Sequence, residues 1–341
     1  MTWPFLTIYD PPGSSEGTLD PLGLYQIADQ LGVMLVPAVR ERMQRIRFLT
    51  AMAVGSILSE GMDDNPNNHD ASPYLVWEWL LAEAMVRCEQ ELSNIDGVPG
   101  TLVSRRAIRQ HGYLDARSYL KTPRIFGFFG VYKRLAIHTG VLDVHLSPGP
   151  FAEGLVDAWA RDQGLGGIKG AQSTINRWRN MVAAGLAQKP PRTKVPNNRI
   201  WEELAQAFAP ADAKSRERKC IFTALHDQDS RRLGALPPIW KVICQQYESG
   251  IKEESVHIEL ARSERSLAPL IAAIQAYEGF ARSMQDAFDT LRAVAWSNDA
   301  RGFVVTDAAA DPEFKAPVES LHVKACAARD ELQEIGGSAT Q

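Results

Sequence analysis

Apolar residues recur three and four positions apart along most of the chain, a spacing that places them on one face of an α-helix. This pattern predicts helices over residues 37–61, 74–92, 101–111, 124–137, 151–163, 174–186, 201–208, 213–225 and onward from 237. A longer run over 255–296 predicts one long helix or two joined near Ser266–Pro269, and a final helix is predicted over 317–335. The fold class that follows is mainly α.

One stretch also predicts a small β element. The helix over 101–111 is broken by Gly112, the helix over 124–137 follows, and residues 141–146 then alternate before a turn over 147–150. Helix, turn, helix, short strand and turn are the order of a winged helix-turn-helix module with a small β wing. Such modules bind DNA in some proteins and dock other proteins elsewhere, so the order predicts a fold before it predicts a ligand.

The chain is expected to divide into four segments. Residues 1–99 form a helical domain, 100–163 a winged-helix-like domain, 164–199 a basic helix with a linker, and 200–341 a C-terminal helical domain. The last boundary is placed at the basic, proline-rich stretch Lys189–Pro196, which has the composition of a linker.

Charge is distributed unevenly along the sequence. The chain has 37 basic and 41 acidic residues, a net charge of −4. Residues 1–100 are strongly acidic, whereas 101–135 contain eight basic residues against Asp115 alone, and 164–199 contain seven basic residues and no acidic one. A local positive surface binds phosphate through counterion release whatever the global charge. The alternative is a basic face that meets an acidic partner or the protein's own acidic N-terminal domain.

The expected DNA contacts come from both basic stretches. Arg124, Lys133 and Arg134 are expected to reach the groove or its phosphates from the second helix, and other cations add phosphate contacts: Arg105, Arg106, Arg109, Lys169, Arg177 and Arg179. Trp178, between two arginines, suits stacking on a base or an interface anchor. The arginines over 40–47 are interpreted as a solvated helix face.

Two groups of glycines carry predictions about the local backbone. Gly127 and Gly130 lower the propensity of their helix, so we expect close packing or a close backbone approach there. The glycines over 164–170 resemble a phosphate-binding loop, but a predicted helix precedes them and the P-loop pattern is absent. We therefore interpret them as a connector.

Two sets of residues leave enzyme chemistry open as an alternative. His226 and Asp227, with Asp229, resemble a metal-binding dyad, and Asp307 with Glu313 and Lys315 has the composition of a metal-dependent nuclease site. Neither is accompanied by the further ligands or strands that this chemistry needs. We expect a binding protein rather than an enzyme, with no cofactor and no metal.

The remaining expectations concern location. No run approaches 18 apolar residues, so no membrane-spanning helix is expected. Met1–Pro4 lack the basic and apolar regions of a secretion signal, and four cysteines lie far apart with no CxxC pair. A cytoplasmic protein is expected.

The layout resembles a loosely defined set of uncharacterised bacterial proteins from anti-phage defence islands. The arginine-rich stretch Arg40–Leu49, the winged-helix-like region Arg105–Ile137 and the segments Ala276–Ala281 and Asp286–Asp289 carry this resemblance, over about a quarter of the chain. It implies an accessory or DNA-sensing subunit that works beside an effector nuclease or ATPase, and it assigns no catalytic residue.

The leading hypothesis is therefore a non-enzymatic subunit that binds double-stranded DNA in a bacterial multiprotein system, with partner proteins and no membrane. A structural adaptor that grips an acidic partner chain is the first alternative. A metal-dependent nuclease or phosphohydrolase is the second.

Overall fold

The computed structural model describes residues 20, 22–39, 43–62, 71–121, 123–211, 213–226, 234–246, 250, 252–297 and 312–338. Fourteen named helices in chain order cover most of this part: α1 Leu24–Leu35, α2 Phe48–Ser59, α3 Pro73–Arg87, α4 Thr101–His111, α5 Pro123–Phe126, α6 Phe128–His138, α7 Ala152–Asp162, α8 Ile168–Leu186, α9 Arg199–Ala207, α10 Ser215–Leu225, α11 Leu236–Gln246, α12 Glu253–Ser263, α13 Ala268–Ser297 and α14 Pro312–Ser338. The predicted mainly α class is confirmed. Two compact units are present, residues 36–237 and residues 1–35 with 238–341.

The unit of residues 36–237 is built around α2 and α3, which are buried on nearly every side. Helices α6, α7 and α8 pack against α2, whereas α4, α8 and α9 pack against α3. Four large aromatic side chains fill the centre, with ring centroids 5.4 to 6.0 Å apart: Trp77, Trp159, Trp178 and Phe208. The core continues from Ala38 to Ile221 and so crosses the boundaries expected near residues 99, 163 and 199.

The second unit is a smaller helical assembly. Helices α13 and α14 pack along each other, and α1 packs against α13. The Tyr277 hydroxyl of α13 donates a hydrogen bond of 2.6 Å to the Leu24 carbonyl at the start of α1. A 3-10 turn over Arg265–Leu267 separates α12 from α13, so the long apolar pattern forms two helices joined near the expected place.

Local end signals locate several helices correctly. The Ser72 side chain accepts a hydrogen bond from the Leu75 amide, and Pro73 occupies the first turn of α3. Gly112 ends α4 in the left-handed conformation. Both features were expected from the sequence.

The helix predicted from Pro37 is wrong in its first half, because the helix α2 begins at Phe48. Ala38 has a φ of 71°, a left-handed conformation that a right-handed helix excludes. No helix was predicted from the sequence over the stretch that forms α1.

The interpretation of the early arginines as a solvated face is wrong for Arg47, whose side chain is 1% exposed. Its guanidinium donates to the carbonyls of Ala207 and Ala209 and lies 3.4 Å from the buried carboxylate of Glu217. Arg45 donates to the Asp96 carbonyl, while Arg40 and Arg42 lie outside the described residues.

The predicted β wing is not shown as a strand anywhere in the described part of the chain. Residues 141–149 instead form a tight turn closed by one antiparallel bridge between Leu142 and Pro148. The Gly149 amide donates to the Val141 carbonyl, and the Leu142 amide donates to the Ala136 carbonyl of α6, so the turn folds back on the end of that helix.

The predicted second helix of the module divides at Gly127 into α5 and α6, because a buried carboxylate occupies the space beside that glycine. A Cβ at Gly127 would lie 2.0 Å from Oε1 of Glu78, so the close approach expected there is confirmed. The Glu78 carboxylate accepts hydrogen bonds from the Tyr119 hydroxyl at 2.9 Å and from the Phe129 amide at 3.3 Å. The start of α6 is thus held by a side chain of α3.

Burial raises the pKa of Glu78 from 4.5 to about 7. A raised folded-state pKa stabilises the protein below pH 4.5, and this stabilisation is lost as the pH rises through about 7. Glu78→Gln should remove about 3 kcal/mol of this pH dependence, since the neutral amide can accept from Phe129 and donate to the Tyr119 oxygen. Denaturant unfolding at pH 5 and pH 8 measures the difference.

The control for this prediction is Glu60→Gln, which changes an exposed carboxylate at the end of α2. That variant should keep the wild-type pH dependence. A Glu78→Gln protein whose stability changes with pH as the wild type does would contradict the assignment.

Candidate nucleic-acid interface

The helix α4 carries three of the predicted site arginines, of which one is paired with a carboxylate and two are exposed. Arg105 forms a bidentate ion pair with Glu89, the residue next to Cys88 at the end of α3. Arg106 and Arg109 lie three residues apart on one helix face and are exposed. Arg105 is therefore neutralised by a carboxylate, and the free positive charge of α4 comes from the other two.

The chain that follows α4 is joined to a distant segment by a short antiparallel bridge. Asp115 pairs with Arg192. The Thr193 amide donates to the Leu114 carbonyl at 2.9 Å, and the Leu114 amide donates to the Thr193 hydroxyl oxygen at the same distance. These hydrogen bonds connect the basic stretch 101–135 with the basic stretch 164–199.

The bridge is anchored in the core by a carboxylate of α3. The Thr193 hydroxyl donates to Oε2 of Glu83 at 2.5 Å, while Arg87 donates to Oε1 of the same side chain at 2.7 Å and to the Gly112 carbonyl at 2.7 Å. Burial raises the pKa of Glu83 above its usual value, and these hydrogen bonds oppose that rise. One buried side chain thus fixes both the end of α4 and the segment around Thr193.

The acidic residue of the first basic stretch is held by backbone amides. The Asp115 side chain is buried, and its carboxylate accepts hydrogen bonds from the backbone amides of Arg117 and Ser118. The Arg117 side chain remains exposed, as does that of Lys194 across the bridge. A set of exposed cations on a fixed backbone results, which we name the bridged basic surface: Arg106, Arg109, Arg117 and Lys194.

An aromatic ring lies beside these cations. The guanidinium carbon of Arg192 is 4.6 Å from the ring centroid of Tyr113, and the His111 ring is 6.2 Å from the same centroid. Tyr113 is half-buried, whereas Arg192 and His111 are exposed. The residues around the bridge therefore include an arginine over a tyrosine ring as well as the exposed cations of the bridged basic surface.

The predicted groove contacts lie on a different helix. Lys133 and Arg134 are exposed on α6, whose buried residues Phe128 and Tyr132 pack edge-on against Phe48 of α2. The side chain of Arg124 lies outside the described residues. Helix α6 packs against α2 as well as the adjoining α5, whereas α4 packs against α3. The predicted cations of these two helices thus extend from separate helix pairs.

The predicted contacts on α8 are partly neutralised. Arg177 pairs with Glu203 of α9 at 2.5 Å, Lys169 is exposed and Arg179 is half-buried. Trp178 is 1% exposed and belongs to the aromatic core, so the expected stacking of a base on this indole is wrong.

The glycine-rich approach to α8 is not a phosphate loop. Oδ1 of Asp157 accepts the Ile168 amide at 3.0 Å, and Gly167 leaves room for that carboxylate. A carboxylate already occupies the position where a helix N-terminus would hold an anion. The interpretation as a connector holds for residues 164–167, since α8 begins at Ile168.

The sequence analysis did not single out Arg117 or Lys194, which the structure shows exposed on either side of the bridge. In the alternation of Arg192, Thr193 and Lys194 the two cations are exposed and the threonine is buried, as expected for extended backbone.

Neither predicted metal site is assembled in the part of the chain that the structure describes. No group of three or more His, Cys, Asp or Glu side chains there could hold a metal ion. The His226 ring stacks on Phe222 at 3.9 Å, and Asp227, Asp229 and Asp307 lie outside the described residues. Glu313 and Lys315 belong to α14, and their side chains are not described.

Among the same residues, no helix combines the length and the apolar character needed to cross a bilayer. Comparison of the chain with protein-family models, with curated proteins and with solved structures finds no match.

The anchoring of the bridge can be tested by Thr193→Val. This change removes the hydroxyl that donates to the Glu83 carboxylate and accepts from the Leu114 amide. Leaving two buried polar groups without this partner should destabilise the protein by about 1–3 kcal/mol. Denaturant unfolding should show the lower midpoint, and Thr223→Val is the control because that exposed hydroxyl bonds within its own helix. Equal midpoints for the two variants would show that the bridge does not depend on Thr193.

Proposed function

We propose that this protein binds double-stranded DNA, and that the bridged basic surface provides its main phosphate contacts. The observation that supports the proposal is the bridge between residues 114–115 and 192–193, which places cations from both basic stretches on one fixed piece of backbone. Phosphate contacts supply most of the affinity in non-specific DNA binding. Because the backbone is already fixed, binding costs less conformational entropy than it would for cations on a mobile segment.

Three further parts of the proposal concern the winged-helix-like region, the accessory role and the location of the protein. A winged-helix-like use of residues 100–163 is supported by the order of α4, α6 and the turn over 141–149, and by the exposure of Lys133 and Arg134. A role as a non-enzymatic accessory subunit of an anti-phage system is supported by the resemblance of Arg105–Ile137. A cytoplasmic location belongs to the same proposal.

A salt titration tests the phosphate contacts. The triple variant Arg106→Gln, Arg109→Gln, Arg117→Gln should bind a duplex more weakly, and the slope of log K against log salt should become shallower by about 2.7, since each lost phosphate contact removes about 0.9. Fluorescence anisotropy with duplexes of two unrelated sequences, at several salt concentrations, measures the slope.

The matched control removes the same charge elsewhere, by Arg218→Gln, Lys219→Gln and Arg265→Gln on α10 and the 3-10 turn. The slope of this control should stay within about one unit of the wild type. Identical slopes for both triple variants would reject the assigned surface. The double variant Lys133→Gln, Arg134→Gln tests the winged-helix-like contacts in the same titration. Its slope of log K against log salt should become shallower by about 1.8.

One observation favours an acidic protein partner as a second candidate. Leu102, on the first turn of α4, has 76% of its side chain exposed and lies one turn before Arg106. An exposed leucine can contribute apolar area to a protein contact, whereas it gives little to phosphate binding.

Leu102→Ser separates the two candidates. If DNA is the ligand, this change should leave the duplex affinity and its salt slope unaltered. If an acidic protein is the ligand, affinity for an acidic polypeptide probe, polyglutamate, should decrease by about tenfold, as for an interface anchor. Isothermal titration with polyglutamate and anisotropy with the duplex provide the two measurements.

A further inference from the structure

We infer that Arg192 and Tyr113 form a stacking site for an unpaired nucleobase, so that the preferred DNA is a duplex with a single-stranded extension. This inference rests on the proposed DNA binding and names the form of DNA that the same surface selects. The geometry of the pair carries it.

The side chains of Arg192 and Tyr113 lie against each other at the protein surface. The guanidinium carbon of Arg192 lies over the Tyr113 ring, 4.6 Å from its centroid. Arg192 is exposed, so its guanidinium can be approached from solvent. A nucleobase stacks on an arginine plane as it does on an aromatic ring.

The pair is held in place before any ligand arrives. Tyr113 precedes Leu114 and Arg192 precedes Thr193, and the backbones of Leu114 and Thr193 are joined by hydrogen bonds. The Arg192 amide also donates to the Gly185 carbonyl at the end of α8. A preorganised stack loses little entropy when a base is added.

Arg109, Arg117 and Lys194 are exposed cations within four residues of Tyr113 or Arg192 along the chain, and positive charge suits a phosphate backbone. In an intact duplex the base faces are covered by neighbouring bases, whereas an unpaired extension exposes them. Phosphate-binding cations next to a free stacking plane therefore select an unpaired base that continues from a duplex.

The experiment compares a blunt duplex with the same duplex extended by a few unpaired nucleotides that include 2-aminopurine. The full-length protein should bind the extended duplex about fivefold to a hundredfold more tightly, the range for stacking of one base, and should quench the 2-aminopurine fluorescence. Arg192→Lys keeps the charge but removes the plane, so it should abolish both the preference and the quenching. Tyr113→Leu should do the same.

Arg199→Lys is the matched control, because Arg199 is an exposed arginine of the same basic stretch at the start of α9. It should keep the preference and the quenching. Equal wild-type affinities for the two duplexes, or a preference that persists in Arg192→Lys, would overturn the stacking site and leave DNA binding in place. Failure of the wild type to bind either duplex would overturn both proposals.

Discussion

Two buried carboxylates of α3 determine where several segments of the larger unit lie. A carboxylate that leaves water costs several kcal/mol unless other groups donate hydrogen bonds to it. Glu78 is supplied by the Tyr119 hydroxyl and the Phe129 amide, and Glu83 is supplied by Thr193 and Arg87. Arg87 belongs to α3 itself, whereas the other donors come from the loop after α4, the start of α6 and the segment before α9. Each of these segments is consequently held against one central helix.

This constraint changes the role of the basic, proline-rich stretch. Its composition is that of a linker between domains, yet Pro191 and Thr193 are buried and the stretch is hydrogen-bonded to residues 114–115. A linker would carry its cations on mobile backbone, and each phosphate contact would then include the cost of ordering the chain. Here the ordering has been done by folding. The backbone on both sides of the bridge is therefore fixed by folding.

The sequence predicts local structure well where the determinants are local. The caps of α3 and the left-handed glycine after α4 are readable because their partners lie within four residues. The helix expected from Pro37 fails because the apolar spacing continues through residues that Ala38, with its positive φ, keeps out of the helix. Arg47 fails for a related reason, since its partner Glu217 is distant in sequence and no periodicity identifies it. The same limit applies to the candidate site: both basic stretches are evident in the sequence, but the bridge that joins them is not.

The net charge of −4 also gives an incomplete description of this surface, because it counts buried and exposed carboxylates alike. Asp115 is directed toward backbone amides, Glu83 is shared between Thr193 and Arg87, and the pKa of Glu78, about 7, leaves that carboxyl largely protonated at slightly acidic pH. Glu89 is partly exposed and cancels Arg105. These carboxyl groups are thus buried or paired, whereas Arg109, Arg117 and Lys194 are exposed. Exposed cations can attract phosphate even in a protein that is acidic overall.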